Sequence, residues 1–208
     1  MQLPNTIFEG SELALFGAGG LARELASSLL RMGVKSESLC FVVDDPFYSE
    51  SFDWNGVSMR RASEGLEGSV VALGDQKSRR LIAERAGGWK MLGSLNLGLV
   101  GYGVSLGCGS VIAEGARITS DISIGDGTLI QMDSTVAHDC AIGHEVNVNP
   151  GARINGGVTI GDRVLIGSQS CIREGIQIVA DVTVGMGAVV VKDIVEPGTY
   201  VGNPAKRI

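Results

Sequence analysis

The sequence lacks any apolar run that approaches the ~20 residues of a membrane-spanning helix. Its N-terminal segment, MQLPNTIFEGSE, also lacks the basic and apolar regions of a secretory leader. These absences predict a soluble, cytoplasmic protein that does not act at a membrane.

Cysteine and histidine are scarce. The four cysteines, Cys40, Cys108, Cys140 and Cys171, are widely spaced and form no CxxC pair. The sequence therefore predicts neither a disulfide framework nor a zinc module, which fits a reducing compartment. The two histidines and the acidic residues never fall at a metal-ligand spacing, so no metal is expected.

Positive charge is also limited. The chain has 17 Lys and Arg against 23 Asp and Glu, a net charge of -6, and only 19% of its residues are charged. Neither half carries the basic stripe that binding to a phosphate backbone requires, which argues against a nucleic-acid partner. Small molecules are the expected partners.

Glycine, by contrast, is in excess, with 31 residues in 208. From residue 100 the chain divides into consecutive hexads that all begin with Val, Leu or Ile. The first residues of these hexads are Val100, Leu106, Ile112, Ile118, Ile124, Ile130, Val136, Ile142, Val148, Ile154, Ile160, Ile166, Ile172, Ile178, Val184 and Val190. We call the six positions of a hexad its slots, and the residue in the fifth slot is always small or β-branched. The second slot is often Gly, at a predicted corner where a Cβ would restrict the backbone.

Each hexad predicts a short strand followed by a turn, and three hexads predict one coil of a parallel β-helix with coils about 4.8 Å apart. Residues 100–195 then make a little over five coils without an inserted loop. The tail EPGTYVGNPAKRI leaves the period. We place this second domain at residues 96–208.

The first domain, residues 1–95, has the pattern of a Rossmann-like βαβ unit. A strand, LALF, runs into the turn Gly17-x-Gly19-x-x-Ala22 and then into a helix. Such glycines let the backbone approach a pyrophosphate, and the helix N-terminus offers it free N–H groups. The length suffices for one mononucleotide-binding half, which argues against NAD(P).

Two further strands of this domain end on polar residues. CFVVDD ends on Asp44 and Asp45, and SVVALGD ends at Gly74 and Asp75 before a second helix. The two carboxylates after CFVVDD are placed to accept hydrogen bonds from a ribose or a base. Two alternatives stay open: a tight strand-to-helix turn that binds nothing, and a strand-end cap at Asp44 and Asp45.

His138 is the candidate general base. It occupies the third slot of its hexad, an outward corner, and Asp139 follows it. Residues 18 apart stack in a β-helix, so Gly156 and Gly157 are expected to leave open space one coil beyond this pair. An accessible imidazole with an adjacent carboxylate suits proton abstraction. His144 lies at a different corner and is interpreted as a solvated surface histidine.

The segments FGAGGLARE, FVVDD, ALGD, HDCAIG and VGNPAK, together with repeats such as IGDGTL, span essentially the whole chain. With them the sequence resembles the hexapeptide-repeat sugar acetyltransferases, of the nucleotide-linked 4-amino-sugar N-acetyltransferase and sialic acid O-acetyltransferase types. The resemblance implies a left-handed β-helix closed by the VGNPAK tail. It also implies acetyl-CoA as co-substrate and a homotrimer with sites between subunits, acting in bacterial surface glycan or glycoprotein biosynthesis.

The resemblance also implies roles for individual residues. His138 would be the catalytic base and Asp139 its partner. Acetyl-CoA would contact Asn147, Ser168 and Met186, of which the last two are 18 residues apart and should stack along one edge. The nucleotide part of the sugar substrate would contact Gly19, Gly20, Leu21, Asp44, Asp45 and Gly74. Some relatives carry a second histidine at the Asn147 position.

Three alternatives accompany this interpretation. A sugar O-acetyltransferase would use the same residues on a hydroxyl group, and a non-catalytic hexapeptide scaffold would need no base. Cys140 is a candidate acyl-cysteine nucleophile, but its fifth-slot, interior position favours a structural role.

Overall fold

The computed structural model describes residues 12–208. Residues 1–11 lie outside the described part. They include most of the segment MQLPNTIFEGSE, on which the expectation that the chain has no secretory leader rests. The chain divides into two compact units, Met1–Ser94 and Leu95–Ile208. Within residues 12–208, no helix is long and apolar enough to cross a membrane.

The first unit contains a four-stranded parallel sheet. Its strands are β1 (Leu13–Phe16), β2 (Leu39–Val43), β3 (Ser58–Arg61) and β4 (Val70–Val71), in the spatial order β3-β2-β1-β4. Helix α1 (Gly20–Arg31) follows β1, and helix α2 (Gln76–Ala86) follows β4. Short 3-10 segments cover Ser36–Ser38, Asp45–Phe47, Ala62–Glu64 and Trp89–Met91. Strands β2 and β4 lie on opposite sides of β1, so the strand order reverses at β1. Open parallel sheets bind ligands at the point where the strand order reverses.

Burial explains most of these elements. Strands β1 and β2 are buried along their whole length, as their continuous apolar sequences predict. Helix α1 buries Ala22, Leu25 and Leu29 on one face. Strand β3 was not predicted, because its sequence, SMRR, has no apolar alternation and it lies half exposed at the sheet edge.

The second unit is a parallel β-helix with three sheets. Its first sheet contains Ser105–Leu106, Ser123–Ile124, Ala141–Ile142, Thr159–Ile160 and Gln177–Ile178. The second contains Leu95–Asn96, Val111–Ile112, Leu129–Ile130, Asn147–Val148, Leu165–Ile166, Val182–Val184, Gly198–Val201 and Lys206–Arg207. The third contains Leu99–Val100, Arg117–Ile118, Thr135–Val136, Arg153–Ile154, Cys171–Ile172 and Val189–Val190.

The predicted coil of three hexads is confirmed by strand pairing. Ile124 pairs with Ile142 and Val136 with Ile154, each 18 residues further along the chain. First-slot and fifth-slot side chains fill the interior and are buried in every coil after the first. Buried fifth-slot hydroxyls donate to backbone carbonyls, as Thr128 Oγ1 does to Gly143 O at 3.0 Å.

The corners differ from the prediction in one respect. The left-handed backbone conformation falls on the fourth slot, from Gly103 to Gly187, and is taken there by residues such as Asp139 and Arg163 as well as by glycine. Second-slot glycines such as Gly161 do not need that conformation. A Cβ on Gly161 would lie 2.5 Å from the backbone nitrogen of Ala180 in the next coil. Close approach of the coils, rather than backbone freedom, therefore explains second-slot glycine.

The 18-residue register ends earlier than the predicted residue 195. Val190 still pairs with Ile172, but Ile194 pairs with Ile178, only 16 residues away. The last corner is therefore two residues short. The tail then adds Gly198–Val201 to the second sheet and turns back through the antiparallel strand Lys206–Arg207.

Candidate functional site

His138 and Asp139 lie at the corner that joins the strands Thr135–Val136 and Ala141–Ile142. The corner projects both side chains outward, and they are 65% and 68% exposed. Asp139 takes the left-handed conformation at φ 58°, which a short polar residue tolerates better than a bulky one. The same backbone turn that exposes the imidazole thus places a carboxylate beside it.

The two side chains are joined by a hydrogen bond of 2.7 Å between His138 Nδ1 and Asp139 Oδ2. An ionised carboxylate can only accept, so Nδ1 carries the proton in this bond. The neutral imidazole then has its lone pair on Nε2. This is the tautomer that a general base needs.

The space predicted beside His138 is filled by its own ring. A Cβ on Gly156 would lie 2.6 Å from Cε1, 2.8 Å from Nε2 and 3.1 Å from Nδ1 of His138. The imidazole therefore packs against the backbone of Gly156, because that residue has no side chain. A Cβ on Gly157 would have no such neighbour, because the nearest atom to it would be the Cα of Gly175 at 3.9 Å. The expectation of an open position at Gly156 is corrected accordingly.

His144 occupies a different corner and has the opposite hydrogen-bonding pattern. The ring nitrogen Nδ1 of His144 accepts from the backbone N–H of Asp126 at 3.0 Å. The backbone N–H of His144 donates to Asp162 Oδ1 at 2.8 Å. A backbone N–H can only donate, so neutral His144 carries its proton on Nε2. His144 links successive coils and has no lone pair on its outer nitrogen.

Cys140 points into the β-helix and is 3% exposed. Its thiol donates to the backbone carbonyl of Asn155 at 3.2 Å. Burial raises the pKa of this thiol, which disfavours the nucleophilic thiolate. These features support the structural interpretation of Cys140.

The residues predicted to contact acetyl-CoA lie apart from His138 within one chain. Asn147 is buried in the second sheet, and Ser168 and Met186 are at the corner that follows this sheet. Ser168 and Met186 lie on neighbouring coils, since the N–H of Gly187 donates to Ser168 O at 2.8 Å. His138 lies at the corner that follows the Ser168–Met186 corner around the prism. Consecutive corners are one hexad apart, which is at most ~20 Å of chain.

The first unit has a cleft of about 840 Å³ at the carboxyl edge of its sheet. The cleft is lined by loop residues that follow β1, β2 and β4 and by one side of α2. These residues are Phe16, Gly17, Ala18, Gly19, Val43, Asp44, Phe47, Leu73, Ser78, Leu81, Ile82, Glu84 and Arg85. Its position matches the ligand site of open parallel sheets.

The structure brings two of the six predicted nucleotide contacts into this cleft, Gly19 and Asp44. Gly19 is the N-cap of α1 and makes no side-chain cap, so the first N–H groups of the helix are not capped by it. Gly20 and Leu21 are the first residues of α1. Within the described residues, these two, Asp45 and Gly74 are not among those lining the cleft.

Asp44 and Asp45 are both engaged in ion pairs. Arg85 binds Asp44 through two hydrogen bonds, at 2.8 and 3.2 Å. Asp45 accepts from Ser63 at 3.1 Å and lies 3.5 Å from Arg61. The sequence pattern missed Arg85, because only the placement of β4 beside β1 brings α2 to this edge.

No group of three His, Cys, Asp or Glu side chains within residues 12–208 is arranged to hold a metal ion. Family models match the second unit: bacterial transferase hexapeptide (six repeats) over residues 121–156, and hexapeptide repeat of succinyl-transferase over residues 157–192. No curated protein matches the chain at a significant level.

Solved structures match both units together. WeeI from Acinetobacter baumannii AYE has a TM-score of 0.81 and 26% identity, covering 95% of this chain and 100% of WeeI. The acetyltransferase domain of PglB from Neisseria gonorrhoeae FA1090 has a TM-score of 0.81 and 29% identity, with 96% and 100% coverage. PerB from Caulobacter crescentus, solved with CoA and GDP-perosamine, has a TM-score of 0.79 and 29% identity, with 96% and 98% coverage.

The second unit thus carries the hexapeptide repeats of bacterial transferases, and the whole chain is similar to the hexapeptide-repeat sugar acetyltransferases. The predicted fold class, a Rossmann-like α/β unit followed by a left-handed parallel β-helix, is confirmed, as is the predicted enzyme class. Within residues 12–208, the exposed imidazole of His138 and the cleft of the first unit both have chemistry that suits a substrate site.

Proposed function

We propose that this sugar acetyltransferase moves an acetyl group from acetyl-CoA to the 4-amino group of a nucleotide-linked deoxyamino sugar, for bacterial surface glycan or glycoprotein biosynthesis. The observation that carries the proposal is the pair His138 and Asp139, in which the carboxylate holds Nδ1–H at 2.7 Å and leaves Nε2 as an exposed acceptor. PerB, whose fold covers both units, is solved with CoA and GDP-perosamine.

His138 and Asp139 divide the acid–base work. Acetyl-CoA supplies an activated acyl group as a thioester. As the amine nitrogen forms its bond to the acyl carbon, His138 Nε2 accepts a proton from that nitrogen, and the carbon–sulfur bond breaks with the thiolate leaving. The carboxylate of Asp139 stabilises the imidazolium that results. Backbone N–H groups at the corner would stabilise the charge that develops on the acyl oxygen.

The two ends of the substrates have separate supports. The cleft beside Gly19, Asp44 and Arg85 would hold the nucleotide, since uncapped N–H groups at the start of α1 suit a pyrophosphate. The stacked edge of Ser168 and Met186, the latter 81% exposed, gives a straight surface along which an extended thioester arm fits. Acetyl-CoA and nucleotide sugars are cytoplasmic metabolites, so we place the reaction in the cytoplasm.

A homotrimer would bring His138 of one chain close to the Ser168–Met186 edge of a neighbouring chain. His138 and the Ser168–Met186 edge lie on adjacent corners of one prism, so one molecule of acetyl-CoA meets both most simply where the corners of two neighbouring chains come together. Sedimentation of the protein at assay concentration tests this arrangement. A trimer is expected, and a fully active monomer would overturn it.

The proposed reaction is tested by incubating the enzyme with acetyl-CoA and 4-amino sugars linked to UDP, GDP and dTDP, with sialic acid as the hydroxyl alternative. Mass spectrometry and NMR locate the acetyl group, which is expected on nitrogen. His138→Ala should lower turnover by about 10²- to 10⁴-fold while acetyl-CoA binding stays within a few-fold. Undiminished turnover in this variant would rule out the assigned base, and acetyl transfer only to sialic acid would rule out the assigned substrate.

A further inference from the structure

Gly156 stands out among the corner residues of the β-helix. In every other hexad from Val100 onward the third slot carries a side chain. These residues are Tyr102, Cys108, Glu114, Ser120, Asp126, Met132, His138, His144, Pro150, Asp162, Ser168, Glu174, Ala180, Met186 and Lys192. The slot therefore tolerates charged, aromatic and aliphatic groups alike, and even Pro.

The backbone does not explain the glycine. Gly156 lies outside the left-handed region that favours glycine, unlike the neighbouring Gly157 at φ 68°. Second-slot glycines such as Gly161 are required by the backbone of the next coil, but the three atoms nearest to a Cβ on Gly156 all belong to the His138 imidazole. The reason for glycine at this corner is the histidine of the preceding coil.

We propose that Gly156 is a positioning residue for the catalytic base: its missing side chain provides the surface on which the His138 ring rests. The ring is held from two sides, by Asp139 at Nδ1 and by the Gly156 backbone beneath Cε1 and Nε2. Together these contacts aim Nε2 at the acyl acceptor. The role as an aid to catalysis rests on the proposed function, whereas the contact itself can be tested without turnover.

Gly156→Ala should displace the imidazole without unfolding the corner. A methyl group cannot remain 2.6 Å from Cε1, and the 65% exposed ring has room to swing toward solvent. The swing separates Nδ1 from Asp139. A misplacement of about 1 Å costs up to about 100-fold in rate, so kcat should fall by about 10- to 100-fold with the KM for acetyl-CoA within two-fold. Cys108→Ala, which puts alanine in the same slot of another corner, should leave both constants unchanged.

A thermal double-mutant cycle separates the contact from catalysis. In the His138→Ala background the ring is absent, and Gly156→Ala should raise the melting temperature by about 2 °C, because alanine restricts the unfolded chain. With His138 present, the same substitution should give no rise or a fall. Equal shifts in both backgrounds, or a kcat within two-fold of the parent in Gly156→Ala, would overturn the proposal. Full turnover in His138→Ala would instead refute the base assignment and leave the thermal result standing.

Discussion

Replacing Gly161 with alanine inserts a methyl group between two coils of the β-helix. The new Cβ would lie 2.5 Å from the nitrogen of Ala180, 2.9 Å from the carbonyl carbon of Val179 and 3.0 Å from the Cα of Ala180. All three are backbone atoms, so no side chain can swing away. Ordinary contact starts near 3.5 Å, and the coils must therefore separate locally by about 1 Å.

Such a separation breaks the hydrogen bonds on either side. Gly161 N donates to Ile178 O at 2.8 Å and Asp181 N to Asp162 O at 3.0 Å, and an added 1 Å takes both beyond bonding distance. Two lost hydrogen bonds cost about 2 kcal/mol, and the displaced core adds about 1 to 2 kcal/mol. We expect Gly161→Ala to lower the free energy of unfolding by about 3 to 4 kcal/mol.

The matched control is Gly187→Ala at a fourth slot. Gly187 has φ 64°, but the Cβ that alanine adds there would meet no atom within 4 Å, so the substitution costs only the left-handed conformation, about 1 kcal/mol. Thermal unfolding of both variants beside the parent measures the difference, with Gly161→Ala melting roughly 10 °C lower. We attribute second-slot glycine to close approach of the coils and fourth-slot glycine to the left-handed backbone. If Gly187→Ala lost more stability than Gly161→Ala, that explanation would be refuted.

Three further outcomes are expected. His144→Ala should lower the free energy of unfolding by about 1 kcal/mol, because the backbone N–H of Asp126 loses its acceptor. His144→Asp should restore most of this free energy. Neither substitution should lower kcat. Arg85→Ala should raise the KM for the nucleotide sugar about ten-fold and leave that for acetyl-CoA unchanged, because it releases Asp44 in the cleft; equal effects on both constants would contradict this. Burial raises the pKa of the Cys40 thiol from 9.0 to about 12. The buried neutral thiol therefore contributes stability that is fully present below pH 9 and is lost as the pH rises toward 12. In the folded protein at pH 8 a thiol reagent should modify exposed Cys108 and spare Cys40, and modification of Cys40 at the same rate would count against its burial.

The β-helix was predictable because its strands repeat a local rule. Every first slot is Val, Leu or Ile, and one interior position per hexad is enough to set an 18-residue coil. The end of the register was not predictable, since Ile194 suits an interior position in either register. Its pairing with Ile178 is decided by the length of the last corner and by the tail strand Gly198–Val201.

The first unit shows the opposite balance. The apolar strands and the glycine turn after Phe16 were predicted, but β3 and the participation of Arg85 were not. Strand β3 has no hydrophobic pattern of its own and forms by pairing with β2. Arg85 reaches Asp44 across 41 residues of chain, a contact that follows from the order of the strands and from nothing local.

By itself the sequence determined the period, the interior positions and the corner on which His138 and Asp139 stand, because each depends on residues that are neighbours along the chain or one coil apart. Tertiary structure alone decided which nitrogen of His138 is free, that the ring rests on Gly156, and that Asp44 is paired with Arg85. These depend on the direction of side chains across a corner or between strands. A repeating sequence specifies positions on a scaffold, and only packing selects the rotamers and hydrogen bonds that turn a position into a site.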